Sequence, residues 1–453
     1  MDDADLIVRY DGRVPRYTSY PTAPHFHAGI TSAVYERWLA EVPVDAPLSL
    51  YLHVPFCDRL CLYCGCNTSV VRQDAPKRAY ALNLMHELER VADLMGGRPN
   101  VSQIHWGGGT PTSLPADCLV TIMDRTRARF HVLNEAEVAV EVDPTVLNAP
   151  ALDALRLMGV NRASLGVQDF DETVQEAIGR RQSFAQTEAA AEALRGLGIG
   201  SLNLDLIYGL PHQTSDSVAR TARAALRLQA DRIAVFGYAH VPWMKRHQAL
   251  IAEASLPGPV ERLAQARTMR GVLEGEGGYV PVGLDHFALP DDAMAVAARA
   301  RRLHRGFQGY TTDAAPVLIG LGASAIGMLP QGYVQNATAV PAYSAAVKQD
   351  GLAVARGVAL SEDDRLRRDL IERIMCDLEA DLPALARAYG ADVAPLLADA
   401  APLTGFAADG LVEWNGTRLL ITPSGRPFVR NVAALFDVYL QHHAATPRHA
   451  HAV

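Results

Sequence analysis

The chain has 453 residues, of which 49% are apolar and 20% are charged, enough for one large hydrophobic core and a smaller domain. Its net charge of -8 argues against a broad phosphate-binding surface, so we expect no nucleic-acid partner. Residues 1–13 are charged and polar where a secretion signal needs an apolar stretch, and the most apolar segment, Val317 to Leu329, is too short to span a bilayer. We therefore expect a cytoplasmic protein without a membrane span.

Residues 1–42 form an N-terminal arm that precedes the first predicted strand. The arm holds Arg16, Tyr17, Thr18 and Tyr20, but it is too short to form a core of its own. We expect it to pack over the active site of the next domain, where it gates or binds the substrate.

Six short β-type segments alternate with amphipathic helical segments across residues 43–255. The predicted strands are 48–54, 101–106, 137–142, 162–167, 202–209 and 232–238. The predicted helices between them are 78–94, 115–129, 184–197 and 214–228. This alternation predicts an α/β fold, a partial (β/α)6 barrel with a parallel sheet. In such barrels the chemistry gathers on the loops that follow the carboxyl ends of the strands.

Four cysteines, Cys57, Cys61, Cys64 and Cys66, follow the first predicted strand. Thiolates suit iron-sulfur clusters and zinc, and the first three are close enough in sequence for one loop to wrap a single cluster. A 4Fe-4S cluster held by three cysteines leaves one iron open to a small molecule. The alternative is a structural zinc site of all four cysteines, but the second ligand pair that usually follows a dozen or more residues later does not occur in the sequence. The spacing, with Tyr63 before Cys64, resembles that of the radical S-adenosylmethionine superfamily.

Glycines and polar residues mark the ends of the other predicted strands. They are Gly107, Gly108, Gly109, Thr110, Glu141, Asp143, Gln168, Asp169, Asp205, Ala239 and His240. The glycines let a ligand approach the backbone closely, although a tight turn would need them equally. Asp205 lies in an apolar run and needs a partner if it is buried, and Arg180 can hold a carboxylate. For Glu141, a solvated or salt-bridged acid is the alternative to a ligand-binding role.

The chain changes character after about residue 360. Residues 256–360 form a predicted extension that completes the barrel site, and residues 361–453 a mainly helical, winged-helix-like domain with a flexible tail. Its predicted elements are helices at 361–378, 381–388 and 392–399, a hairpin over 411–425 and a closing helix over 426–440. The acidic charge favours a lid or docking surface over DNA binding, and we expect the tail histidines, His442, His443, His449 and His451, to be solvated. Cys118 and Cys376 are expected to be buried.

Several motifs together carry a closer resemblance. They are PRYTSYPTA (15–23), YLHVPFCDRLCLYCGCN (51–67), WGGGTPT (106–112), VEVDP (140–144), GVNRASLGVQDFD (159–171), LDLIYGLPHQT (204–214), YAHVP (238–242), GLDHFALPDD (283–292) and LHRGFQGYTT (303–312). These segments are similar to those of the oxygen-independent coproporphyrinogen III oxidases, a family of radical S-adenosylmethionine enzymes. The similarity covers nearly the whole chain and becomes looser towards its end.

The resemblance implies a 4Fe-4S cluster bound by Cys57, Cys61 and Cys64, with the fourth iron chelated by S-adenosylmethionine. In the family a second S-adenosylmethionine molecule lies beside the first. Positions that contact the first molecule correspond to Tyr51, Gly108 and Glu141. Positions around the second correspond to Tyr63, Gly109, Thr110, Gln168, Arg180, Asp205, Ala239 and Ile326. Cys66 is not a cluster ligand in the family, and it is a candidate catalytic residue together with Tyr51.

The resemblance also implies a reaction of haem biosynthesis. Two propionate side chains of coproporphyrinogen III become vinyl groups by oxidative decarboxylation, which gives protoporphyrinogen IX. An electron from the cluster cleaves S-adenosylmethionine, and the 5'-deoxyadenosyl radical takes a hydrogen atom from the propionate β-carbon. We therefore expect a reducing electron donor such as flavodoxin or ferredoxin, and a monomeric enzyme.

Two alternatives use the same scaffold. The first is a haem chaperone, against which Cys66 and the segment 15–23 count, because chaperone relatives typically lack both. The second is another radical S-adenosylmethionine enzyme that acts on tetrapyrroles, and the motifs between 283 and 312 favour the decarboxylase over it.

Overall fold

A twelve-stranded sheet forms the centre of the structure, which is a computed structural model that describes residues 3–440. The tail histidines and the predicted flexible tail lie outside the described residues. The strands in chain order are β1 (Leu48–Val54), β2 (Phe56–Cys57), β3 (Ser69–Val70), β4 (Asn100–Gly108), β5 (His131–Val142), β6 (Arg162–Gln168), β7 (Ser201–Tyr208), β8 (Arg232–Gly237), β9 (Val280–Val282), β10 (His286–Ala288), β11 (His304–Gly306), β12 (Gly309–Thr311), β13 (Val317–Leu321), β14 (Ile326–Leu329), β15 (Gly332–Asn336), β16 (Val354–Ala359), β17 (Glu379–Asp381), β18 (Val412–Trp414) and β19 (Arg418–Ile421).

Helices cover the sheet and form most of the C-terminal region. In chain order they are α1 (Asp3–Tyr10), α2 (Ser32–Ala40), α3 (Asp74–Met95), α4 (Ala116–Arg129), α5 (Ala149–Met158), α6 (Glu172–Ala177), α7 (Phe184–Gly196), α8 (Ser215–Arg227), α9 (Pro259–Gly275), α10 (Ala293–Arg299), α11 (Val340–Asp350), α12 (Glu362–Cys376), α13 (Leu382–Ala388), α14 (Ala394–Asp399), α15 (Leu403–Ala408) and α16 (Val429–Ala434). In the described residues, no helix is long and apolar enough to cross a membrane.

The six predicted strands form the parallel part of the sheet, in the order β1, β4, β5, β6, β7 and β8. Every second residue of β1, from Leu48 to Val54, is fully buried, as expected for the face of a strand that packs against the core. The sheet begins with β16 at one edge and ends with β9 at the other, so the barrel is open. The predicted partial (β/α)6 barrel is confirmed.

Strands from residues 256–360 extend the sheet at both edges. β13 pairs in parallel with β1, and β14, β15 and β16 continue from it in antiparallel fashion. At the opposite edge, β10 and β9 follow β8. Val317 to Leu329, interpreted from the sequence as core rather than as a membrane segment, supplies β13 and β14, and Val317, Ile319, Leu321 and Leu329 are buried.

The N-terminal arm packs into the core of the C-terminal region. Leu6, Ile7, Tyr17 and Tyr20 belong to one buried apolar cluster with residues of α12, α13 and α16. β17, β19 and β18 form a three-stranded sheet in this region, and β18 and β19 are the predicted hairpin. The apolar residues at the start of the arm are therefore buried by the far end of the chain. Those of α2 and its flanking residues join the main core of the sheet, so the arm has no core of its own.

The predicted closing helix over 426–440 is wrong in its length. A short 3-10 turn, Arg426–Phe428, leads into α16, which ends at Ala434. Beyond it, the Asp437 carboxylate accepts hydrogen bonds from the backbone N–H groups of Tyr439 and Leu440 and from the hydroxyl of Tyr17. A carboxylate that binds its own following backbone favours turns over a continuing helix, and the arm fixes it in that position.

Glu87 on α3 is a buried carboxyl group at the back of the sheet. It accepts hydrogen bonds from the Gly322 N–H at 2.7 Å, the Asn336 amide at 2.6 Å and the Tyr343 hydroxyl at 2.7 Å. Burial, although opposed by these donors, raises the pKa of Glu87 from 4.5 to about 7. The folded protein therefore binds this proton more tightly than the unfolded chain does, and the associated stability is lost as the pH rises from about 4.5 through about 7.

We expect the thermal unfolding midpoint to fall between pH 5 and pH 8 by more in the wild type than in Glu87→Gln, which cannot titrate. The shift from 4.5 to about 7 corresponds to an upper bound of roughly 3 kcal/mol. Differential scanning fluorimetry of both proteins across this range measures the difference. Equal pH slopes would show that Glu87 stays ionised throughout.

Candidate active site at the carboxyl edge of the sheet

A cavity of about 570 Å³ lies where β1, β4, β5, β6, β7 and β8 end. We call it the thiol cavity, because cysteines of the loop after β1 line it. The predicted site residues in its lining are Cys57, Cys61, Tyr63, Cys64, Cys66, Gly108, Gly109, Thr110, Glu141, Gln168, Arg180, Asp205 and Ala239. Residues far apart in sequence thus meet at one edge of the sheet, as the parallel topology requires.

Two predicted site residues lie outside this lining. Tyr51 lies on β1, where its hydroxyl hydrogen-bonds Nδ1 of His53 at 3.0 Å. Ile326 begins β14 and packs in an apolar cluster with Phe307. Gly320 of β13 pairs with Tyr51, and a Cβ at Gly320 would lie 2.6 Å from the Ile326 backbone. Ile326 is therefore two strands from β1 and is not among the residues that line the thiol cavity.

The cysteine loop is fastened to the rest of the barrel by its backbone. Leu62 N–H donates to the Ile178 carbonyl, and the Gln248 amide donates to the Tyr63 carbonyl at 2.8 Å. The Cys66 carbonyl accepts from Nζ of Lys245 at 2.9 Å. These contacts hold the loop from the segments after β6 and β8, so the thiols are positioned by the whole barrel.

Each of the three predicted cluster ligands has a hydrogen-bond donor beside its sulfur. Thr68 donates to Cys57 Sγ at 3.2 Å, Arg180 Nη1 lies 3.6 Å from Cys61 Sγ, and the Cys66 N–H lies 3.4 Å from Cys64 Sγ. Hydrogen bonds to sulfur stabilise thiolates and tune iron-sulfur clusters. In the described residues, no three His, Cys, Asp or Glu side chains are grouped to hold a single metal ion. A cluster needs no such group, because each thiolate binds a different iron, and the three-cysteine loop fits it.

The glycines after β4 pack so closely against neighbouring residues that a side chain would not fit there. Gly108 has a φ of +114°, and a Cβ on it would lie 2.6 Å from the His53 ring. A Cβ on Gly109 would lie 2.6 Å from the Phe56 carbonyl oxygen. The segment is therefore fitted against β1 and the start of the cysteine loop, and its backbone is exposed to the cavity.

We expect Gly108→Ala to lower the affinity for S-adenosylmethionine at least tenfold. The new methyl group must displace His53 and adopt a φ that alanine rarely tolerates, which moves the backbone that lines the cavity. Equilibrium dialysis with labelled S-adenosylmethionine on the anaerobically reconstituted protein measures this. Gly196→Ala is the control, since nothing lies within 4 Å of a Cβ there. Unchanged binding by Gly108→Ala would remove this segment from the ligand site.

Two carboxylates face the cavity, one from β5 and one from β7, with β6 between these strands. Glu141 accepts from the Gly108 N–H at 3.0 Å and contacts His105 Nε2 at 3.3 Å. Burial acts to raise the pKa of Glu141, but these two partners outweigh it and the pKa is lowered. Burial and the charge of Glu141 raise the pKa of Asp205, which accepts from Ser164 and Asn203. Two acids that repel each other in a cavity suit a cationic ligand, and S-adenosylmethionine carries a sulfonium and an ammonium group.

Arg180 links the cysteine loop to the ends of β5 and β6. Its guanidinium donates to the Gly166 carbonyl at 2.7 Å and to Asp143 at 3.2 Å, while its Nε has no hydrogen-bond partner among the described residues. Gln168 beside it has a φ of +70°, a conformation that non-glycine residues rarely adopt. A hydrogen-bond donor without a partner and a strained backbone at the wall of a cavity both indicate a ligand site.

Sequence reasoning missed the residues that hold the carboxylates. His105 contacts Glu141, and Ser164 and Asn203 donate to Asp205. Strand alternation is the signal that could have found them, because residues two apart on a strand share a face and β6 lies beside β7. Asn203 lies two residues before Asp205, and Ser164 lies on the neighbouring strand.

Two family models and several named relatives match the chain. The Radical SAM superfamily model matches residues 51–225, and the HemN C-terminal domain model matches residues 360–428. A Bradyrhizobium diazoefficiens protein named oxygen-independent coproporphyrinogen III oxidase is 52% identical over 438 residues, which cover 96% of this chain and 97% of that protein. The protein of the same name from Escherichia coli is 41% identical over 443 residues, covering 98% of this chain and 96% of that protein.

One solved structure matches end to end. Coproporphyrinogen III oxidase (HemN) from Escherichia coli, described as a radical SAM enzyme, has a TM-score of 0.90 and 40% sequence identity, covering 96% of this chain and 99% of that one. The open parallel barrel and its cysteine loop define a radical S-adenosylmethionine enzyme, a class that uses a 4Fe-4S cluster and S-adenosylmethionine. Within that class, the chain belongs to the oxygen-independent coproporphyrinogen III oxidase family.

Proposed function

We propose that the chain catalyses the oxidative decarboxylation of two propionate side chains of coproporphyrinogen III to vinyl groups, giving protoporphyrinogen IX in haem biosynthesis. The observation that carries this proposal is the convergence of three thiols, two carboxylates and Arg180 on one cavity, in a chain that matches the named relatives end to end. In each conversion the β-carbon loses a hydrogen atom, the bond to the carboxylate breaks with release of carbon dioxide, and one electron leaves to an acceptor.

The proposal assigns the cofactors to the walls of the thiol cavity. Cys57, Cys61 and Cys64 hold the 4Fe-4S cluster, and S-adenosylmethionine binds beside it. Tyr51, Gly108 and Glu141 serve the first S-adenosylmethionine molecule. The residues assigned to the second are Tyr63, Gly109, Thr110, Gln168, Arg180, Asp205, Ala239 and Ile326. When bound, the cluster and S-adenosylmethionine would provide the radical chemistry that removes a hydrogen atom from the propionate.

The chain's own residues bind and orient the reactants. The ionised Glu141 attracts positive charge to the end of β5, and the open Nε of Arg180 offers a donor to a ligand carboxylate or hydroxyl. Tyr51 and Cys66 are the candidate catalytic residues. Val14 and Tyr17, which flank Arg16, are buried against the C-terminal region, so Arg16 is held at the wall of the cavity. We propose further that a flavodoxin or ferredoxin supplies the electron and that the enzyme acts as a cytoplasmic monomer.

The test is anaerobic turnover. The reconstituted protein is incubated with coproporphyrinogen III, S-adenosylmethionine and a reductant, and the porphyrins and 5'-deoxyadenosine are separated by chromatography. We expect the loss of two carboxyl groups per porphyrinogen. Cleavage of S-adenosylmethionine with intact coproporphyrinogen III would point to a different tetrapyrrole substrate. Tight haem binding with neither reaction would point to a haem chaperone.

A further inference from the structure

A second cavity meets the thiol cavity at the end of β8. Arg16, Gly237, Tyr238 and Ala239 line both. The second cavity is lined by arginines, and we call it the arginine cavity. Its arginines are Arg16, Arg262, Arg267, Arg270, Arg305, Arg426 and Arg430.

These arginines come from four separate segments of the chain. Arg16 belongs to the arm, and Arg305 to β11. Arg262 and Arg270 lie two turns apart on α9 and so share one face of that helix. Arg426 begins the turn before α16. The Arg305 guanidinium donates to the Arg16 carbonyl, and Arg16 donates to the Gly237 carbonyl at 2.9 Å, so the arm is fastened between the two cavities.

The arginine cavity brings seven guanidinium groups together, and that of Arg270 pairs with Glu274 at 2.6 Å. Asp285 is the one carboxylate among its lining residues, and it lies 4.0 Å from Arg305. Burial acts to raise the pKa of Asp285, but His286, Arg305 and Arg16 lower it to about 2. Burial and the charge of Arg270 lower the pKa of Arg426 to about 10. Clustered guanidinium groups that disfavour each other's charge are stabilised by a bound anion.

The lining of the arginine cavity combines hydrogen-bond donors with apolar surface, which suits a carboxylate on an apolar chain. Nη1 of Arg426 and Nη1 of Arg305 have no hydrogen-bond partner among the described residues. Apolar side chains line the remaining wall, namely Leu263, Ala266, Pro281, Leu284, Phe287, Pro423 and Pro427. The cavity measures about 120 Å³ against about 570 Å³ for the thiol cavity, so it has room for side chains rather than for a macrocycle. Guanidinium groups bind carboxylates through two parallel hydrogen bonds.

We propose that the arginine cavity holds propionate carboxylates of the substrate that are not reacting, while the reacting propionate enters the thiol cavity. This inference rests on the proposed function. It explains how the protein recognises a tetracarboxylate. Gly237, Tyr238 and Ala239 line both cavities, so the arginines that bind the other carboxylates lie next to the reaction site.

The test compares Arg426→Gln with Arg426→Lys and with a control. Arg426 offers the clearest variant, because its Nη1 is buried without a hydrogen-bond partner among the described residues, while the residue as a whole is half-buried. Arg223→Gln is the control, since Arg223 is exposed and pairs with Glu276 on the outside of the barrel. The measurements are KM for coproporphyrinogen III, kcat, and the Kd of the unreactive coproporphyrin III by fluorescence titration.

We expect Arg426→Gln to raise KM and Kd by about 10- to 100-fold, as the loss of a charge-assisted hydrogen bond predicts, with cluster content and S-adenosylmethionine affinity unchanged. Arg426→Lys should recover part of the loss, and Arg223→Gln should match the wild type. Wild-type turnover with an unchanged KM in Arg426→Gln and in the double variant Arg262→Gln/Arg426→Gln would overturn the inference and leave the proposed function standing. Absence of turnover in the wild type itself would overturn the proposed function, and the inference with it.

Discussion

Replacement of Cys57, Cys61 or Cys64 by alanine is expected to abolish turnover and to remove the iron-sulfur cluster. A 4Fe-4S cluster held by three thiolates cannot lose one of them without losing most of its binding free energy, because these thiolates are all of its protein ligands. Cys57 accepts a hydrogen bond from Thr68, and Cys61 lies beside Arg180. A hydrogen-bond donor therefore lies beside each of these two sulfurs. Iron and sulfide content and the visible absorbance of the anaerobically reconstituted variants measure the loss.

Two cysteine variants serve as comparisons. Cys118 is buried on α4, outside the cysteine loop, so Cys118→Ala should keep the cluster and the activity. Cys66→Ser should also keep the iron content, because Cys66 is not among the three ligands, while it loses turnover if its thiol takes part in the reaction. A Cys57→Ala protein that retained four irons and full absorbance would contradict the assignment of the cluster loop.

Glu141→Gln is expected to reduce kcat/KM for S-adenosylmethionine by about 10- to 100-fold. The variant keeps the shape of the side chain but removes the negative charge that the Gly108 amide and His105 stabilise. A hydrogen bond to a charged group contributes roughly 1.5–3 kcal/mol, and each 1.4 kcal/mol is a factor of ten. The rate of 5'-deoxyadenosine formation at varied S-adenosylmethionine concentration measures the effect.

Glu135→Gln provides the matched control for this variant. Glu135 lies on the same strand, β5, but it is exposed and lies outside the lining of the thiol cavity. The charge change is the same in both variants, so a difference between them reports the position of Glu141. Equal kinetics in the two proteins would show that the Glu141 carboxylate does not contact the ligand.

The parallel barrel could be predicted from the sequence because each of its strands and helices has a recognisable local pattern. Each of the six parallel strands is a short apolar run followed by a helix of regular spacing, and the polar residues at the strand ends then fall together by topology alone. The short strands β9, β10 and β14 were not predicted. They contain three to four residues each, which is too few for an alternating apolar pattern to mark them in the sequence.

Long-range contacts explain the remaining differences. The closing helix ends at Ala434 because Asp437 binds the following backbone and Tyr17 of the arm, more than four hundred residues away in sequence. The assignment of Ile326 to the second S-adenosylmethionine site follows from the resemblance and stays a prediction, with β13 between its strand and β1. The arginine cavity could not be predicted, since its residues come from four segments with no shared motif.

The most direct test of the central claim is hydrogen transfer from the substrate. Coproporphyrinogen III deuterated at the β-carbons of its propionates is incubated anaerobically with the reconstituted enzyme, S-adenosylmethionine and a reductant, and the 5'-deoxyadenosine is analysed by mass spectrometry. The account predicts deuterium in 5'-deoxyadenosine together with vinyl products, and neither with Cys57→Ala. Unlabelled 5'-deoxyadenosine with intact coproporphyrinogen III would contradict it.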